Sequence, residues 1–465
     1  MDKEYRKLTG TTILFAGANI ISKLLKILLV PLYTYYLTTS EFGTGETVTI
    51  TVNLLYPVFL LGVSEAAIRF TMKDEHSPES IVTNCFAVLL TASLAGVLLF
   101  IPLAFMPLMR GYLGIMYIMT VAGAVEKLMM AEAKGLGKNT AFAISEIVSA
   151  ATLISFNVIM LAVLKVGIAG YLWSIAAASA ARILFLFFSL KLFRLIEAKA
   201  LSADLIKSIL KFSLPFMPAT ILWWIMDSSG RYIVMWFMGA SAAGIYAIAF
   251  RLSAVVTGIS VVFHQAWQLS AIRQHSIGGY EPFYKAAIRS YSTMFFFGAS
   301  VIILFARPLM LLLDDSYDDA WRYAPLLLIA AAFFALSGFV CANYYVCEKT
   351  RGVLWTSFAG AAVSLAAGIF MTPRLGMQGT AAAELMGFYS MWLIMTIHTG
   401  RLLDFKPEYL MIHIDLIILL AEAYTVIRLE NPLPAMVCPL LLLILNRSTV
   451  SGMIGALTQI RVNKE

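Results

Sequence analysis

Charged residues are scarce in this chain, because Asp, Glu, Lys and Arg together make up only 13% of its 465 residues. A soluble globular protein has about 25% of such residues. The chain also lacks a long polar stretch, and its longest polar connection, around 191–211, has only about 20 residues. A folded soluble domain needs about 50 residues or more. These absences exclude an ordinary soluble protein and argue against a soluble catalytic domain.

Motifs for catalysis and for cofactors are absent as well. No Gly-rich phosphate loop follows a strand-like segment and no nucleophile motif occurs, which argues against ATP hydrolysis and against an enzyme. The histidines show no ligand spacing, so we expect neither a metal nor an organic cofactor. The acidic stretch "DDSYDD" at 314–319 is interpreted as a solvated turn. Cys85, Cys341, Cys347 and Cys438 have no CxxC spacing and are typical of buried free thiols.

Long apolar runs are what the chain has in abundance. Hydrophobic residues make up 60% of it and the mean hydropathy is +0.83. Runs of about 20 apolar residues cross a bilayer as helices, since lipid leaves backbone groups no other hydrogen-bond partners. The predicted fold class is therefore an all-α polytopic membrane protein with about fourteen transmembrane helices. The predicted spans are approximately 10–38, 44–66, 81–106, 112–132, 139–164, 168–190, 212–238, 241–265, 288–306, 323–346, 352–372, 377–399, 408–427 and 433–450.

The distribution of Lys and Arg predicts the orientation of these spans. About 22 of them fall in loops on the side of the N-terminus, against about 6 on the other side. Such an excess marks the cytoplasmic side, so both termini are predicted to be cytoplasmic. The net charge of +7 is then explained by topology, and we expect no nucleic-acid partner.

The chain also contains an internal repeat. "LTTSEFGTG" at 37–45 parallels "MGASAAGIY" at 238–246, and "VGIAG" at 166–170 parallels "LGMQG" at 375–379. Two matches in the same order indicate two six-helix lobes related by a pseudo-two-fold axis along the membrane normal, which is a transporter architecture. The predicted parts are an N-terminal lobe, a C-terminal lobe and two extra helices with a cytoplasmic tail, at 1–195, 196–405 and 406–465.

The first predicted helix carries polar residues on one face. Asn19, Lys23 and Lys26 are spaced i, i+4 and i+7, and no acid lies within one turn of either lysine. A charge at the centre of a membrane helix costs about 2.5–3.5 kcal/mol on insertion scales. This spacing therefore favours a wet cavity that the two lysines line.

Further charges lie inside later predicted helices. Asp227 and Arg231 are four residues apart, so they either form a private salt bridge or line a cavity in which Arg231 binds phosphate or carboxylate. Arg251 either lines the cavity or has a Ser or carbonyl partner, and the role of Arg182 is ambiguous. The interior is not uniformly cationic, because further acids lie in it at Glu146, Glu384, Asp415 and Glu422. The candidate substrate-binding residues are Asn19, Lys23, Lys26, Arg182, Asp227, Arg231 and Arg251.

Several stretches resemble a known family. They are "ILLVPLYTYYLTTSEFGTGE", "LPFMPATILWWIMDSSGRYIVMWFMGASAAGIYAIAFRL", "HQAWQLSA", "YDDAWRYAPLLL" and "CEKTRG…RLGMQGTAAAE". They look like the bacterial polysaccharide-repeat-unit flippases of the multidrug/oligosaccharidyl-lipid/polysaccharide (MOP) exporter superfamily. The resemblance covers nearly all of the first twelve spans. Many relatives look to have an Asp-Arg pair where this chain has Gly230-Arg231, which leaves the role of Asp227 open.

The resemblance implies a V-shaped pair of lobes that moves undecaprenyl-pyrophosphate-linked oligosaccharides across the bacterial cytoplasmic membrane by alternating access. Its implied partners are the lipid-linked oligosaccharide, the bilayer, and polysaccharide polymerase with other assembly proteins. A proton gradient, a sodium gradient or the membrane potential would drive transport, and the residues do not distinguish them.

Three alternatives remain at this point. A multidrug and toxin extrusion (MATE) antiporter has similar lobes, although deep carboxylates suit cationic drugs better than Lys23 and Lys26 do. A cell-wall precursor flippase differs only in cargo. A polytopic glycosyltransferase or polymerase needs a long extracytoplasmic loop with catalytic acids, and no predicted loop is long enough.

Overall fold

The computed structural model describes most of the chain, and all regular structure in the described part is helical. Two compact units divide the chain, Met1–Trp224 and Ile225–Glu465. The predicted lobe boundaries stay a prediction. The described residues are 28–72, 76–214, 217–347, 349, 351–405, 409–429 and 432–462.

The first unit contains eight labelled helices among its described residues. Polar caps start several of them. Thr38 forms a capping box with Glu41, and the hydroxyls of Ser77 and Ser202 accept from backbone N–H groups three residues later. The helices are α1 Leu29–Tyr36, α2 Thr39–Leu60, α3 Val63–Met72, α4 Pro78–Gly96, α5 Leu113–Gly135, α6 Asn139–Asn157, α7 Ile168–Ser189 and α8 Ala203–Ser213.

The second unit contains the remaining labelled helices. The long helix α9 begins in the last residues of the first unit and continues through the second. The helices are α9 Met217–Ile277, α10 Tyr280–Met310, α11 Ala324–Val346, α12 Arg351–Leu375, α13 Met377–Leu402, α14 Leu410–Leu429, α15 Val437–Leu445 and α16 Arg447–Val462.

A single residue divides α9. Gly239 has φ 85° and ψ −179°, a conformation that is not helical and that a side chain would strain. The chain reverses at this bend, because Phe250, eleven residues later, contacts Arg231, eight residues earlier. The break lies between the predicted spans 212–238 and 241–265, as the sequence indicates.

Ten helices in the described part are long and apolar enough to span a membrane. A further pair, Thr39–Leu60 and Val63–Thr71, passes the same test together with a bend of 49°. The long helix α9 counts once among the ten although Gly239 divides it. The protein is therefore a multi-pass helical membrane protein, while the count of fourteen and the symmetry of the lobes stay predictions.

The last predicted span, 433–450, is not a single helix. Asn446 interrupts it and separates α15 from α16. The side-chain amide of Asn446 donates to both carboxylate oxygens of Asp415 in α14, at 3.1 and 3.3 Å, and all of these groups are buried. Such a donor offsets the cost of burying the carboxylate of Asp415.

The glycines of the predicted repeat share an unusual backbone conformation. Gly167 has φ 64° and ψ −142°, and Gly376 has φ 62° and ψ −148°. Each directly precedes a long helix, α7 in the first unit and α13 in the second. Residues with a side chain very rarely adopt these angles. The repeat in sequence therefore corresponds to a repeat in local geometry.

Replacing Gly376 by alanine is expected to destabilise the protein by about 1–3 kcal/mol, because alanine is strained at these angles. Thermal unfolding in detergent measures the effect as a lower midpoint. Gly298 is the matched control, since it lies inside α10 with no positive φ and nothing within 4 Å of an added Cβ. An equal loss for Gly298→Ala and Gly376→Ala would contradict the prediction.

Candidate substrate-binding site

Three of the predicted site residues cannot be placed. Asn19, Lys23 and Lys26 lie outside the described residues. The predicted cationic face of the first helix therefore stays a prediction.

Arg231 lies at the centre of a buried cluster in the second unit. Its Nη2 donates to Ser228 Oγ at 3.0 Å and lies 3.6 Å from Asp227 Oδ2. Its guanidinium lies over the ring of Phe250, 4.3 Å from the ring centroid. The Arg231 side chain is 11% exposed and that of Asp227 is 41% exposed. The predicted proximity of Asp227 and Arg231 is thus observed, with the guanidinium buried and the carboxylate open.

A second carboxylate reaches the same cluster from α13. Glu384 is buried and accepts a hydrogen bond from the Tyr246 hydroxyl at 3.0 Å. A Cβ added at Gly230 would lie only 1.9 Å from Glu384 Oε1, so this carboxylate fills the space that a side chain at 230 would need. Glu384 also interacts electrostatically with Arg231.

Local sequence explains how these groups meet. Asp227 and Arg231 share a face of α9 because they are one helical turn apart. The bend at Gly239 brings Tyr246 and Phe250 back to that face. Small residues then allow α12 and α13 to pack closely, since a Cβ at Gly360 would meet Met391 Cβ at 2.7 Å. From the sequence, Glu384 was identified only as an interior acid. Gly230 was the available signal, because a residue without a side chain leaves room for a group from another helix.

The cluster combines one guanidinium with two carboxylates inside a membrane-spanning unit. A guanidinium is suited to bidentate binding of phosphate or carboxylate. The second carboxylate leaves an excess negative charge, which a proton or a small cation can neutralise. Arg231 can therefore interact either with the internal carboxylates or with an anionic ligand that takes their place.

Arg251 follows Phe250 in the second half of α9 and is partly exposed. A contact of Arg251 with a substrate stays a prediction.

Arg182 lies in a separate buried cluster in the first unit. Its guanidinium contacts Glu126 through Nη1 and Glu146 through Nη2, the latter at 3.0 Å, and Nε donates to the Ser145 carbonyl oxygen at 3.3 Å. Arg182 is only 4% exposed. Its side chain is held by carboxylates of its own unit, and a substrate contact of Arg182 stays a prediction.

The first unit holds two buried acids that sequence reasoning did not single out. Glu46 in α2 accepts from the Tyr171 hydroxyl of α7 at 2.7 Å. Glu132 in α5 is 0% exposed, and neither of its carboxylate oxygens has a hydrogen-bond partner among the described residues. The interior of this unit is therefore more acidic than predicted.

The acidic stretch at 314–319 is a solvated turn, as predicted. It begins the 3₁₀ helix Asp315–Arg322, in which Asp315, Asp318 and Asp319 are exposed. The Ser316 hydroxyl and N–H donate to Asp314 and hold the pKa of that carboxyl below its ordinary value. The described residues contain no group of three or more His, Cys, Asp or Glu that would fit a metal ion.

The fold is similar to solved transporters. An inward-facing multidrug resistance MATE family transporter of the MOP superfamily matches with a TM-score of 0.68 and 14% identity, over 83% of this chain and 96% of that chain. A MATE structure in complex with MaL6 matches with a TM-score of 0.63 and 14% identity, over 84% and 96%. At such identities the likeness establishes the fold alone.

A third solved structure shares the fold. It is a MOP superfamily transporter from Pyrococcus furiosus Vc1, with a TM-score of 0.63 and 12% identity, over 85% of this chain and 95% of that chain. No curated protein matches the chain.

The sequence itself matches a family model described as polysaccharide biosynthesis protein, over residues 8–267. This range includes most of α9, with Asp227, Arg231 and Arg251. Since the match covers more than half of the chain, the chain belongs to the polysaccharide biosynthesis protein family and has the fold of the MATE transporters of the MOP superfamily.

Proposed function

We propose that this protein is a flippase that moves a lipid-linked, polyprenyl-pyrophosphate oligosaccharide across the bacterial cytoplasmic membrane by alternating access. The observation that carries the proposal is the buried guanidinium of Arg231 in a transporter fold of the polysaccharide biosynthesis family. In this proposal both termini are cytoplasmic, and the protein delivers its cargo to a polysaccharide polymerase and other assembly proteins without itself catalysing a reaction.

Arg231 is proposed to bind the pyrophosphate of the cargo. The negative charge of a lipid pyrophosphate opposes its passage through the bilayer, and fixed cations at depth lower that barrier. Arg231 offers a planar fork for phosphate oxygens, and Phe250 holds the guanidinium from one face. Arg251, Lys23 and Lys26 are proposed as further cations along the same path.

Asp227 and Glu384 are proposed to control whether the guanidinium of Arg231 is available to the cargo. While both carboxylates are charged, they compete with phosphate for the guanidinium. A proton or a sodium ion that neutralises one of them makes Arg231 available to the cargo, which couples transport to an ion gradient. Tyr246 opposes the neutralisation of Glu384, because its hydroxyl donates to this carboxylate and stabilises the charged form.

A MATE-type antiporter is the second candidate, and the fold is equally compatible with it. The interior carboxylates Glu384 and Asp227 favour it, since they suit cationic drugs. For the neighbour from Pyrococcus furiosus, a reverse polarity of the binding pocket was taken to suggest a different function. The guanidinium of Arg231 beside the carboxylates favours an anionic cargo for this chain.

Reconstitution in liposomes tests the proposal. The pure protein is given a labelled polyprenyl-pyrophosphate sugar in one leaflet, and its arrival in the opposite leaflet is measured. We expect the labelled lipid to reach the opposite leaflet only when the protein is present. In a second experiment, cells that overexpress the protein are expected to show no resistance to cationic drugs. Drug resistance without transfer of the labelled lipid would favour the antiporter and overturn the flippase.

A further inference from the structure

A cavity of about 880 Å³ lies away from the Arg231 cluster in the same unit. It is located where the first turn of α12 and the last turns of α13 diverge. Its polar lining consists of Lys349, Arg351, Thr356, His398 and Arg401. Three fixed cations and a histidine around one cavity indicate an anionic ligand.

The three fixed cations are available for a ligand. Lys349, Arg351 and Arg401 are exposed, and no carboxylate of the described residues forms a salt bridge with any of them. Glu348 and Glu408 lie outside those residues.

The wall of the cavity is held by α11. The Tyr344 hydroxyl is 2.9 Å from His398 Nδ1, so the imidazole is oriented by a buried partner. α12 approaches α11 closely at Gly352, where an added Cβ would lie 2.2 Å from Tyr344 Cε1. Tyr344 therefore orients the imidazole and packs closely against the start of α12 on this side of the cavity.

The apolar lining of the cavity is open to the surroundings of the unit. Trp355 is 69% exposed and Ile397 is 39% exposed. An exposed Trp beside basic residues at the ends of membrane helices is typical of the headgroup level of a bilayer. The Lys and Arg bias of the loops assigns this end of α12 and α13 to the cytoplasmic side.

We propose that this cavity binds an anionic glycerophospholipid of the cytoplasmic leaflet, with its phosphate at Lys349, Arg351 and Arg401 and its acyl chains against Trp355 and Ile397. Basic pockets between membrane helices on the cytoplasmic side bind anionic lipid headgroups in this way. The bound lipid bridges the ends of α12 and α13 and stabilises the unit that carries Glu384. This goes beyond the proposed function, because the lipid is not the cargo.

Quenching of Trp355 fluorescence by brominated lipids tests the proposal. The protein is reconstituted with brominated phosphatidylglycerol or brominated phosphatidylcholine, and the difference between wild type and Trp355→Phe isolates Trp355 among the eight Trp of the chain. We expect stronger quenching by phosphatidylglycerol. The preference of the site for phosphatidylglycerol over phosphatidylcholine should fall roughly fivefold for each cation removed, since each basic residue near the surface contributes about 1 kcal/mol.

In the variant K349Q/R351Q/R401Q, both lipids are expected to quench Trp355 fluorescence equally. Its control, R307Q/R374Q/R428Q, removes the same charge from the opposite ends of helices and should retain the preference. The single variant R401Q, which alters one charge, is expected to lose part of the preference for phosphatidylglycerol. It replaces the triple variant in the test if the triple variant cannot be purified.

Three outcomes overturn the proposal. The first is equal quenching by both lipids in the wild type. The second is a preference that survives in K349Q/R351Q/R401Q. The third is loss of quenching when a small amount of polyprenyl pyrophosphate, or inorganic phosphate alone, is added to phosphatidylglycerol vesicles, because the site would then belong to the cargo or to a free ion. None of these readouts depends on transport, so they are independent of the proposed function.

Discussion

Arg231→Ala is expected to lower the rate of lipid-linked oligosaccharide transfer about 30-fold or more. Truncating one partner of a buried, hydrogen-bonded charge pair costs about 2–5 kcal/mol, and the pyrophosphate would lose the buried cation that is assigned to it. The same change leaves Glu384 buried without its guanidinium, which is expected to destabilise the protein by about 3–5 kcal/mol. Transfer between leaflets of liposomes and thermal unfolding in detergent measure the two effects.

A double variant separates these two effects. Arg231→Met with Glu384→Gln replaces both charges by neutral side chains of similar size, so the midpoint of unfolding should return toward that of the wild type. Transfer should remain as slow as in Arg231→Ala. Arg374→Ala is the matched control, because Arg374 is exposed and its guanidinium donates to the Phe370 carbonyl oxygen of its own helix. Normal transfer in the double variant would remove Arg231 from the transport path.

Gly230→Asp is expected to be the most damaging single substitution in the second unit. The new Cβ would overlap Glu384 Oε1 at 1.9 Å, and two carboxylates would share one buried space. Overpacking and an unpaired buried charge each cost a few kcal/mol, so the sum reaches a large part of the usual 5–15 kcal/mol of stability. The protein is expected to be lost from the membrane fraction or to unfold well below the wild-type temperature.

Adding Glu384→Ala to Gly230→Asp should recover folding and part of the transport. The double variant removes the colliding group and restores one acid beside Arg231, in the place where many relatives look to carry it. Glu422→Ala is the control second change, since Glu422 is another buried acid of the same unit and binds Ser300 at 2.6 Å. Equal recovery with Glu422→Ala would show that the effect is not due to the shared space at Gly230.

The sequence by itself determined the features that depend on neighbours along the chain. The apolar runs predict most of the helices, because the length of a span follows from the thickness of a bilayer. The repeat of Gly167 at Gly376 and the break at Gly239 are local, since each depends on one residue that tolerates a positive φ. The proximity of Asp227 and Arg231 also follows from helical spacing alone.

Only the tertiary structure decided which groups meet from distant parts of the chain. Glu384 reaches Gly230 from a helix 154 positions later, and Arg182 meets Glu126 and Glu146 from two other helices. Asn446, which divides the last predicted span, donates to the buried Asp415 of another helix. Such contacts depend on which faces of the helices pack together, and a span that is apolar on every side carries little information about which face points inward. The burial of charge in this protein therefore follows from helix packing, while the helices themselves follow from the order of its residues.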